Sequence, residues 1–561
     1  MAPGGVKTKV LIVGGVAGGA SCAARARRIS EAAEIILFDK GGFVSFANCG
    51  LPYRVSDVIA DDKSLILASP ELFKNRFNIE VRIQSEVLSV DATRKFVRVR
   101  NLVTGNEYDE SYDALVLAPG AAPLRPPIPG LDSPGVFALR TIPDSQYIRS
   151  WIAEHNVKTA IVVGGGFIGL EMTENFVHMG IKVVLIEGLK QVMAPLDAEM
   201  LPRVHERIQE RGVELCLGDI VSRIEQQPDE GLVVETKGGK RFDAQIVILG
   251  IGVRPVTELA KSAGIELGAR GGIRIDDRCR TSDPNIWAVG DACETKDIIT
   301  GEFAVLPLAG PANRQGRIAA DNIMGRSSSF RGVQATAICG LFDMTVACTG
   351  ANEKTLQRLN MRYDKVHLSP GHHVGYLPGA KPMDLKVLYD PHDGKLLGAQ
   401  CVGEEGVDKR IDIISTAIQK GGTVFDLEEA ELCYAPQFGA AKDPCNMAGM
   451  IAANSIRGDA PLAHWNLDSY MNSFLLDVRE PAEFERGHVE GAINISLTRL
   501  REAMESEIPA GQPILVYCAV GQRGYYATRA LRLSGFNARN FSGGFRAYTN
   551  YKKAGLLAPA Q

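Results

Sequence analysis

Residues 160–187 read AIVVGGGFIGLEMTENFVHMGIKVVLIE. An apolar run ends in glycines, a helical stretch follows, and a second apolar run ends on an acid, Glu187. This is the grammar of strand, tight turn, helix and parallel strand. The same grammar opens the chain. The run Lys9–Val13 leads into GGVAGG at 14–19, then the Ala/Arg-rich stretch ASCAARARRI, then EIILFDK. Two such units predict an α/β chain with two Rossmann-like layers. Further along, ALVLAPG, AQIVILGIGVRP and IWAVGDAC (286–293) read as strands that complete those layers, while Asn101 to Asp113 reads as a polar stretch. After residue 330 the texture changes. ATAICGLF, DLKVLYD and LLGAQCVG alternate with helical stretches, which predicts an α+β module. The segment NSIRGDAPLAHWN, 454–466, is polar and mixed and reads as a linker. Beyond it FLLDVRE, PILVYCA and a terminal helix predict a compact last unit.

Composition bounds what such a chain does. At about 150 residues per domain, 561 residues predict three to four domains. Basic residues number 62 and acidic residues 66, a net charge of −4, which argues against a dedicated binder of nucleic acid or anionic membrane. The hydrophobic share of 45% and charged share of 23% are those of an ordinary globular chain. Eleven cysteines are too sparse for a disulfide scaffold and include no CxxC pair for zinc, so no metal is expected. No apolar run reaches the roughly 18 residues of a membrane span. The first apolar run leads straight into a glycine turn and reads as a strand rather than a signal peptide, so a reducing cytoplasm is expected.

A helix N-terminus presents free N–H groups and partial positive charge, which suits a pyrophosphate. Glycines let backbone approach it, and an acid closing the second strand suits ribose hydroxyls. The second unit fits fully, with Gly164, Gly166 and Gly169 and then Glu187 eighteen residues on. In the first unit Gly14 and Gly19 are in place, Val16 replaces the middle glycine, and Asp39 lies twenty residues after Gly19. One site is expected to hold FAD and the other a nicotinamide dinucleotide. Glu187 disfavours a 2′-phosphate, so NADH is expected over NADPH, with Lys190 keeping NADPH open.

SFANCGLPY, 45–53, follows the first acidic strand. With this motif and the Gly290–Asp291 turn, the layout resembles the two-dinucleotide flavoprotein disulfide reductases. In the glutathione-reductase branch a second cysteine follows five residues on. Here Arg54 stands there, so the chain resembles the single-cysteine branch of NADH oxidases, NADH peroxidases and coenzyme A-disulfide reductases. The oxidases and peroxidases carry a histidine in the first glycine loop, where this chain has Ala17. The resemblance to coenzyme A-disulfide reductases runs over residues 7–455 and implies FAD, NADH and coenzyme A. It implies Cys49 as the nucleophile, because a thiolate must attack a sulfur–sulfur bond. It implies that Gly290 and Asp291 reach the flavin ribityl chain. Ser21, Arg25 and Arg28 share a helix face by spacing and are the implied phosphate ligands of coenzyme A, with Ser45 and Asn48 lining its channel. Tyr376 and Tyr434 match a pair that the family supplies from a partner subunit to donate to the leaving thiolate, which implies a homodimer.

LLDVREPAEFERGHVEGAINI (475–495) and VYCAVGQRGYYATRAL (516–531) resemble the opening motif and active loop of a rhodanese domain. Cys518 to Arg523 is then a six-residue anion cradle between strand and helix, with Cys518 carrying a persulfide and Arg523 adding positive charge. The two resemblances together imply a domain order. FAD-binding segments occupy 1–150 and 246–328, flanking an NAD(P)H-binding domain at 151–245. A dimerisation domain at 329–453, the linker and a rhodanese domain at 467–561 complete it. They resemble coenzyme A-disulfide reductase–rhodanese fusions, described as persulfide or polysulfide reductases. The implied activity is NADH- and FAD-dependent reduction of persulfides, coenzyme A persulfide among them, with release of hydrosulfide. Three alternatives stay open. These are a coenzyme A-disulfide reductase with an accessory rhodanese, a sulfur transferase for biosynthesis, and a flavoprotein redox sensor without turnover.

Overall fold

The computed structural model describes residues 8–228, 231–465 and 472–557. It divides into two compact units. One ends at Lys190 and resumes from Gly212 to Val333; the other comprises Gln191–Arg211 and the chain from Gln334 on.

In the first unit the chain forms β1 (Lys9–Val13), α1 (Ala17–Ile29), β2 (Glu34–Phe38), α2 (Leu51–Val55), β3 (Glu80–Arg82) and β4 (Ala114–Leu117). It continues through β5 (Val136–Phe137), β6 (Thr159–Val163), α3 (Phe167–His178), β7 (Lys182–Glu187), β8 (Glu214–Leu217) and β9 (Ile246–Leu249). Two further elements, β10 (Ile286–Ala288) and α4 (Ala309–Ile323), close the unit. Two parallel sheets result, ordered β10-β4-β1-β2-β3 and β8-β7-β6-β9-β5. Their central strands are buried on both faces, which is why they read as continuous apolar runs. In both glycine turns the third glycine is demanded by packing. A Cβ on Gly19 would meet the Gly14 carbonyl oxygen at 1.9 Å, and one on Gly169 would meet that of Gly164 at 1.9 Å. The polar reading of 101–113 concealed a strand. Glu107–Ser111 pairs antiparallel with Phe96–Asn101, and its alternate charged positions face solvent. A strand half covered by water carries too little apolar signal to read as one.

The second unit begins with β11 (Ala337–Leu341), β12 (Met344–Gly350), β13 (Asp364–Leu368), β14 (Met383–Tyr389) and β15 (Leu396–Gly403). These form an antiparallel sheet ordered β11-β12-β15-β14-β13, with α5 (Val407–Gln419) packed on it. The chain then runs α6 (Pro444–Ile456), β16 (Leu462–Ala463), β17 (Phe474–Asp477), α7 (Pro481–Glu485) and β18 (Ile493–Asn494). Last come β19 (Ile514–Tyr517), α8 (Gln522–Leu533), β20 (Ala538–Phe541) and α9 (Gly544–Lys553). A parallel sheet ordered β16-β20-β19-β17-β18 forms the C-terminal layer.

Two sequence boundaries change. The expected linker 454–466 is largely built into the fold. Its first residues finish α6, and Leu462–Ala463 join the C-terminal sheet. Trp465 is buried and stacks on Phe541 with ring centroids 3.9 Å apart. The apolar residues of that mixed segment decide its place; Asn466 lies outside the described residues. Residues 191–211, read as part of 151–245, pack with the second unit instead. Lys386 is fully buried there, and its ammonium contacts Asp197 at 2.8 Å, Glu199 at 2.5 Å and Glu353. An ammonium held by three carboxylates satisfies charges that would be costly to bury singly.

Candidate active site

The two glycine turns are held the same way. Gly15 N–H donates to Asp39 Oδ2 at 2.9 Å, and Gly165 N–H donates to Glu187 Oε2 at 2.6 Å. The other carboxylate oxygens accept from Gly41 at 2.8 Å and Leu189 at 2.7 Å. Each acid therefore ties its turn to its second strand. Neither α1 nor α3 has a side-chain cap or an acid in its first turn, and a Cβ on Gly166 would meet open space. Unmet N–H groups at two helix starts suit the pyrophosphates of FAD and of a nicotinamide dinucleotide.

Sequence reading missed Arg140. Its guanidinium is largely buried, donates to the Pro119 carbonyl at 3.1 Å, and feels the charges of Asp291, Asp144 and Asp39. Burial pulls it below the usual arginine range, and the three carboxylates oppose that. Nothing in the local sequence marks it; only the fold brings residue 140 to the Asp39 and Asp291 turns. Gly290 N–H donates to the buried Gln315 Oε1 at 2.7 Å, and burial pushes Asp291 upward against the pull of Arg140.

Cys49 lies in a single 3₁₀ turn, Asn48–Gly50, that runs directly into α2. It is exposed and free. Partial burial of the thiol, with the carboxylates of Glu171 and Asp291, pushes it above the usual cysteine value. Glu171, on α3, is itself raised to about 7 by burial and by Glu174. The expected thiolate is thus not favoured by the surrounding side chains. Ser45 has φ 47°, and its N–H donates to the Gly15 carbonyl at 2.7 Å, which straps the cysteine segment to the first glycine turn. Asn48 Nδ2 donates to the Arg140 carbonyl at 3.2 Å. Arg54, where the other branch has its second cysteine, is buried and paired with Asp62 and, at 2.6 Å, with Asp57.

On α1 the three implied coenzyme A ligands have separate partners. Ser21 Oγ meets Asn313 Oδ1 at 2.5 Å, and Arg28 Nε donates to the Ala24 carbonyl at 2.9 Å. Arg25 pairs with Asp321 of α4 at 2.7 Å, so its charge is spent within the fold and Arg28 is the freer cation. In the second unit Tyr376 and Tyr434, 58 residues apart, come together. Their hydroxyls are 2.8 Å apart, both rings are exposed, and the bond to Tyr434 raises Tyr376.

Cys518 follows β19 and is 1% exposed. Gly521 N–H donates to its Sγ at 3.2 Å. The expected loop 518–523 is shorter than read, because α8 starts at Gln522 and takes in Arg523. Arg523 brings its positive charge to the loop already paired. Glu483 of α7 grips its guanidinium at 2.6 and 2.8 Å, and that grip holds the Glu483 carboxyl down at about 2. Arg523 still faces the Cys518 thiol. Gly544 lets the start of α9 close on the loop: a Cβ there would meet the Cys518 carbonyl oxygen at 2.4 Å and Gly521 N at 2.8 Å.

Residues 8–316 match the family described as pyridine nucleotide-disulphide oxidoreductase, more than half of the chain. The chain belongs to this family. Pyridine nucleotide-disulphide oxidoreductases carry a dimerisation domain, matched here at 336–443, and residues 462–551 match a rhodanese-like domain. Among curated relatives, a coenzyme A disulfide reductase from Staphylococcus aureus (strain JH9) is 35% identical over 442 residues, 79% of this chain and 99% of its own. Among solved structures, reduced CoADR-RHD from Bacillus anthracis is 44% identical with a TM-score of 0.95, covering 97% of this chain and 98% of its own. A NAD-dependent persulfide reductase from A. fulgidus is 34% identical with a TM-score of 0.89, covering 96% and 100%. The fold expected from the glycine turns and the rhodanese motifs is thus the fold of this oxidoreductase. Like its relatives it is a flavin-dependent NAD(P)H oxidoreductase acting on sulfur–sulfur bonds. No described helix is long and apolar enough to cross a membrane.

Proposed function

We propose that this oxidoreductase reduces persulfides with NADH, and that coenzyme A persulfide is the form that meets Cys49. The observation that carries the reading is the Cys518 cradle, built with its Gly521 donor on the same chain as Cys49. A backbone N–H at 3.2 Å supports sulfur anion at Cys518, and the uncapped start of α8 adds to it.

Cys518 thiolate attacks the outer sulfur of a persulfide, becomes Cys518 persulfide and releases the carrier thiolate. The thiol of coenzyme A then takes that sulfur, regenerating Cys518. Cys49 thiolate attacks the coenzyme A sulfur of the resulting persulfide. The sulfur–sulfur bond breaks, hydrosulfide leaves, and Cys49 holds coenzyme A as a mixed disulfide. Two electrons and a proton return this disulfide to Cys49 thiolate and free coenzyme A. Gly14, Gly19, Asp39, Gly290 and Asp291 would hold FAD, which when bound would pass the electron pair of NADH to this disulfide. Gly164, Gly166, Gly169 and Glu187 hold the nicotinamide dinucleotide, and the Glu187 carboxylate disfavours the 2′-phosphate of NADPH. Arg28 and Ser21 meet the phosphates of coenzyme A. Tyr376 and Tyr434, sharing one hydrogen bond, form a hydroxyl pair that donates to the leaving sulfur across a homodimer, in a reducing cytoplasm.

The test is anaerobic NADH oxidation with sulfide release, comparing coenzyme A persulfide with coenzyme A disulfide. Faster turnover on the persulfide, with one sulfide per NADH, is the expected result. Equal or faster turnover on the disulfide makes the chain a coenzyme A-disulfide reductase with an accessory rhodanese.

A further inference from the structure

A cavity of about 230 Å³ opens beside the Cys518 loop, lined by Arg479, Glu483, Arg486, Gly487 and Phe545. Two of its lining residues connect it to the cysteine. Glu483 holds the Arg523 guanidinium that faces the thiol, and Phe545 N–H donates to the Cys518 carbonyl at 2.7 Å. Its charges are unequally committed. Arg479 is buried, forked onto Asp477 at 2.6–3.0 Å, bonded to the Gly487 carbonyl at 2.8 Å, and stacked over Phe545. Glu483 is neutralised by Arg523. Arg486 sits one helical turn beyond Glu483, where side chains share a face. It is exposed, donates through Nε to the Ala482 carbonyl at 3.1 Å, and has no ion pair among the described residues. Glu480, Glu485 and Glu490 lie nearby in sequence, are exposed, and do not line the cavity.

We infer that Arg486 is the specificity residue of the Cys518 centre, selecting sulfur donors whose carrier group bears an anion. The inference rests on the reading of Cys518 as a sulfur acceptor. Each pair, Arg479 with Asp477 and Arg523 with Glu483, is formally neutral, so Arg486 leaves the cavity one net positive charge. Its two terminal nitrogens form a planar fork that matches a carboxylate or a phosphate. The Phe545 ring gives the carrier an apolar wall. In the transfer, Cys518 thiolate bonds to the outer sulfur of the donor, the donor's sulfur–sulfur bond breaks, and the carrier leaves as its thiolate. No net oxidation occurs. A carrier anion docked on Arg486 holds the donor during that displacement.

The experiment uses the full-length protein without NADH, so that sulfur loading is read apart from reduction. The rate at which Cys518 gains one sulfur atom is followed by peptide mass spectrometry. Glutathione persulfide is the carboxylate donor, coenzyme A persulfide the phosphate donor and 2-mercaptoethanol persulfide the neutral donor. Arg486→Glu is expected to slow loading from an anionic donor about tenfold or more and to leave the neutral donor unchanged. The anionic donor that suffers identifies the carrier chemistry. Arg486→Gln, which adds no charge beside Glu483, is expected to show the same selective loss at smaller size, and Arg486→Lys to keep the preference. Equal loss with all three donors, or no loss with any, overturns the inference. If loading is selective but NADH-driven sulfide release fails, the reductase reading falls and the assignment of Arg486 stands.

Discussion

Cys49 and Cys518 sit in opposite surroundings. Cys49 is exposed, on a single turn, and the nearby ionisable side chains acting on its thiol are carboxylates. Cys518 is 1% exposed, takes a backbone N–H on its sulfur, and faces an arginine. The difference teaches that the hydrogen bond on the Cys518 sulfur comes from the backbone, which carries no titratable charge. Reactivity at Cys49 depends on side-chain charges that protonation alters.

The comparison is sharpest when each thiol is removed. Cys49→Ser is expected to lower NADH turnover on both coenzyme A disulfide and coenzyme A persulfide by roughly a thousandfold or more. Cys518→Ser is expected to abolish sulfide release from polysulfide while coenzyme A disulfide turnover stays near wild type. Steady-state NADH oxidation on the three substrates checks both. If Cys518→Ser leaves polysulfide turnover intact, the two centres are not in series.

Gly544→Ala tests whether the Cys518 cradle is a backbone device. Gly544 has φ 59°, and its added Cβ would press on the Cys518 carbonyl and the Gly521 nitrogen. The loop must open. A cost of about 1–3 kcal/mol in denaturant unfolding of the second unit is expected. Displacing the donor by about 1 Å is expected to slow sulfur loading of Cys518 about a hundredfold. Disulfide turnover at Cys49 is the internal control.

The smallest effect is expected at Glu171. Its ionised carboxylate disfavours the Cys49 thiolate, and it ionises near pH 7. Glu171→Gln removes that charge, so Cys49 thiolate forms at lower pH than in the wild type. Rates of alkylation of Cys49 against pH check the sign. Below pH 6 the two proteins converge, because the wild-type Glu171 carboxyl is then protonated and as uncharged as the glutamine amide. A shift in the opposite direction removes Glu171 from the setting of Cys49.

Much of the scaffold was legible because its signals are local. Strand β1, α1 and β2 follow from an apolar run, a glycine turn and a second apolar run within thirty residues, and β6, α3 and β7 repeat them. The acids Asp39 and Glu187 were legible for the same reason: each closes the strand beside its turn. Residues acting across long separations left no such trace. Arg140 reaches the Asp39 and Asp291 turns only through the sheet order, and Glu483 meets Arg523 across 40 residues. The segment 454–466 misled because its polar residues outnumber the Leu462, Ala463 and Trp465 that decide its packing.

The sequence by itself determined the two glycine turns, the choice of Cys49 and Cys518 as candidate nucleophiles, and the order of the layers. Those depend on backbone geometry and hydrophobic period, which neighbouring residues specify. Only the tertiary structure decided which charges are free. Arg25 is spent on Asp321, Arg523 on Glu483 and Lys386 on three carboxylates, while Arg486 is left open beside a cavity. The physical reason is that Coulomb pairing follows distance in space, and a chain brings distant residues within a few ångströms only after it folds.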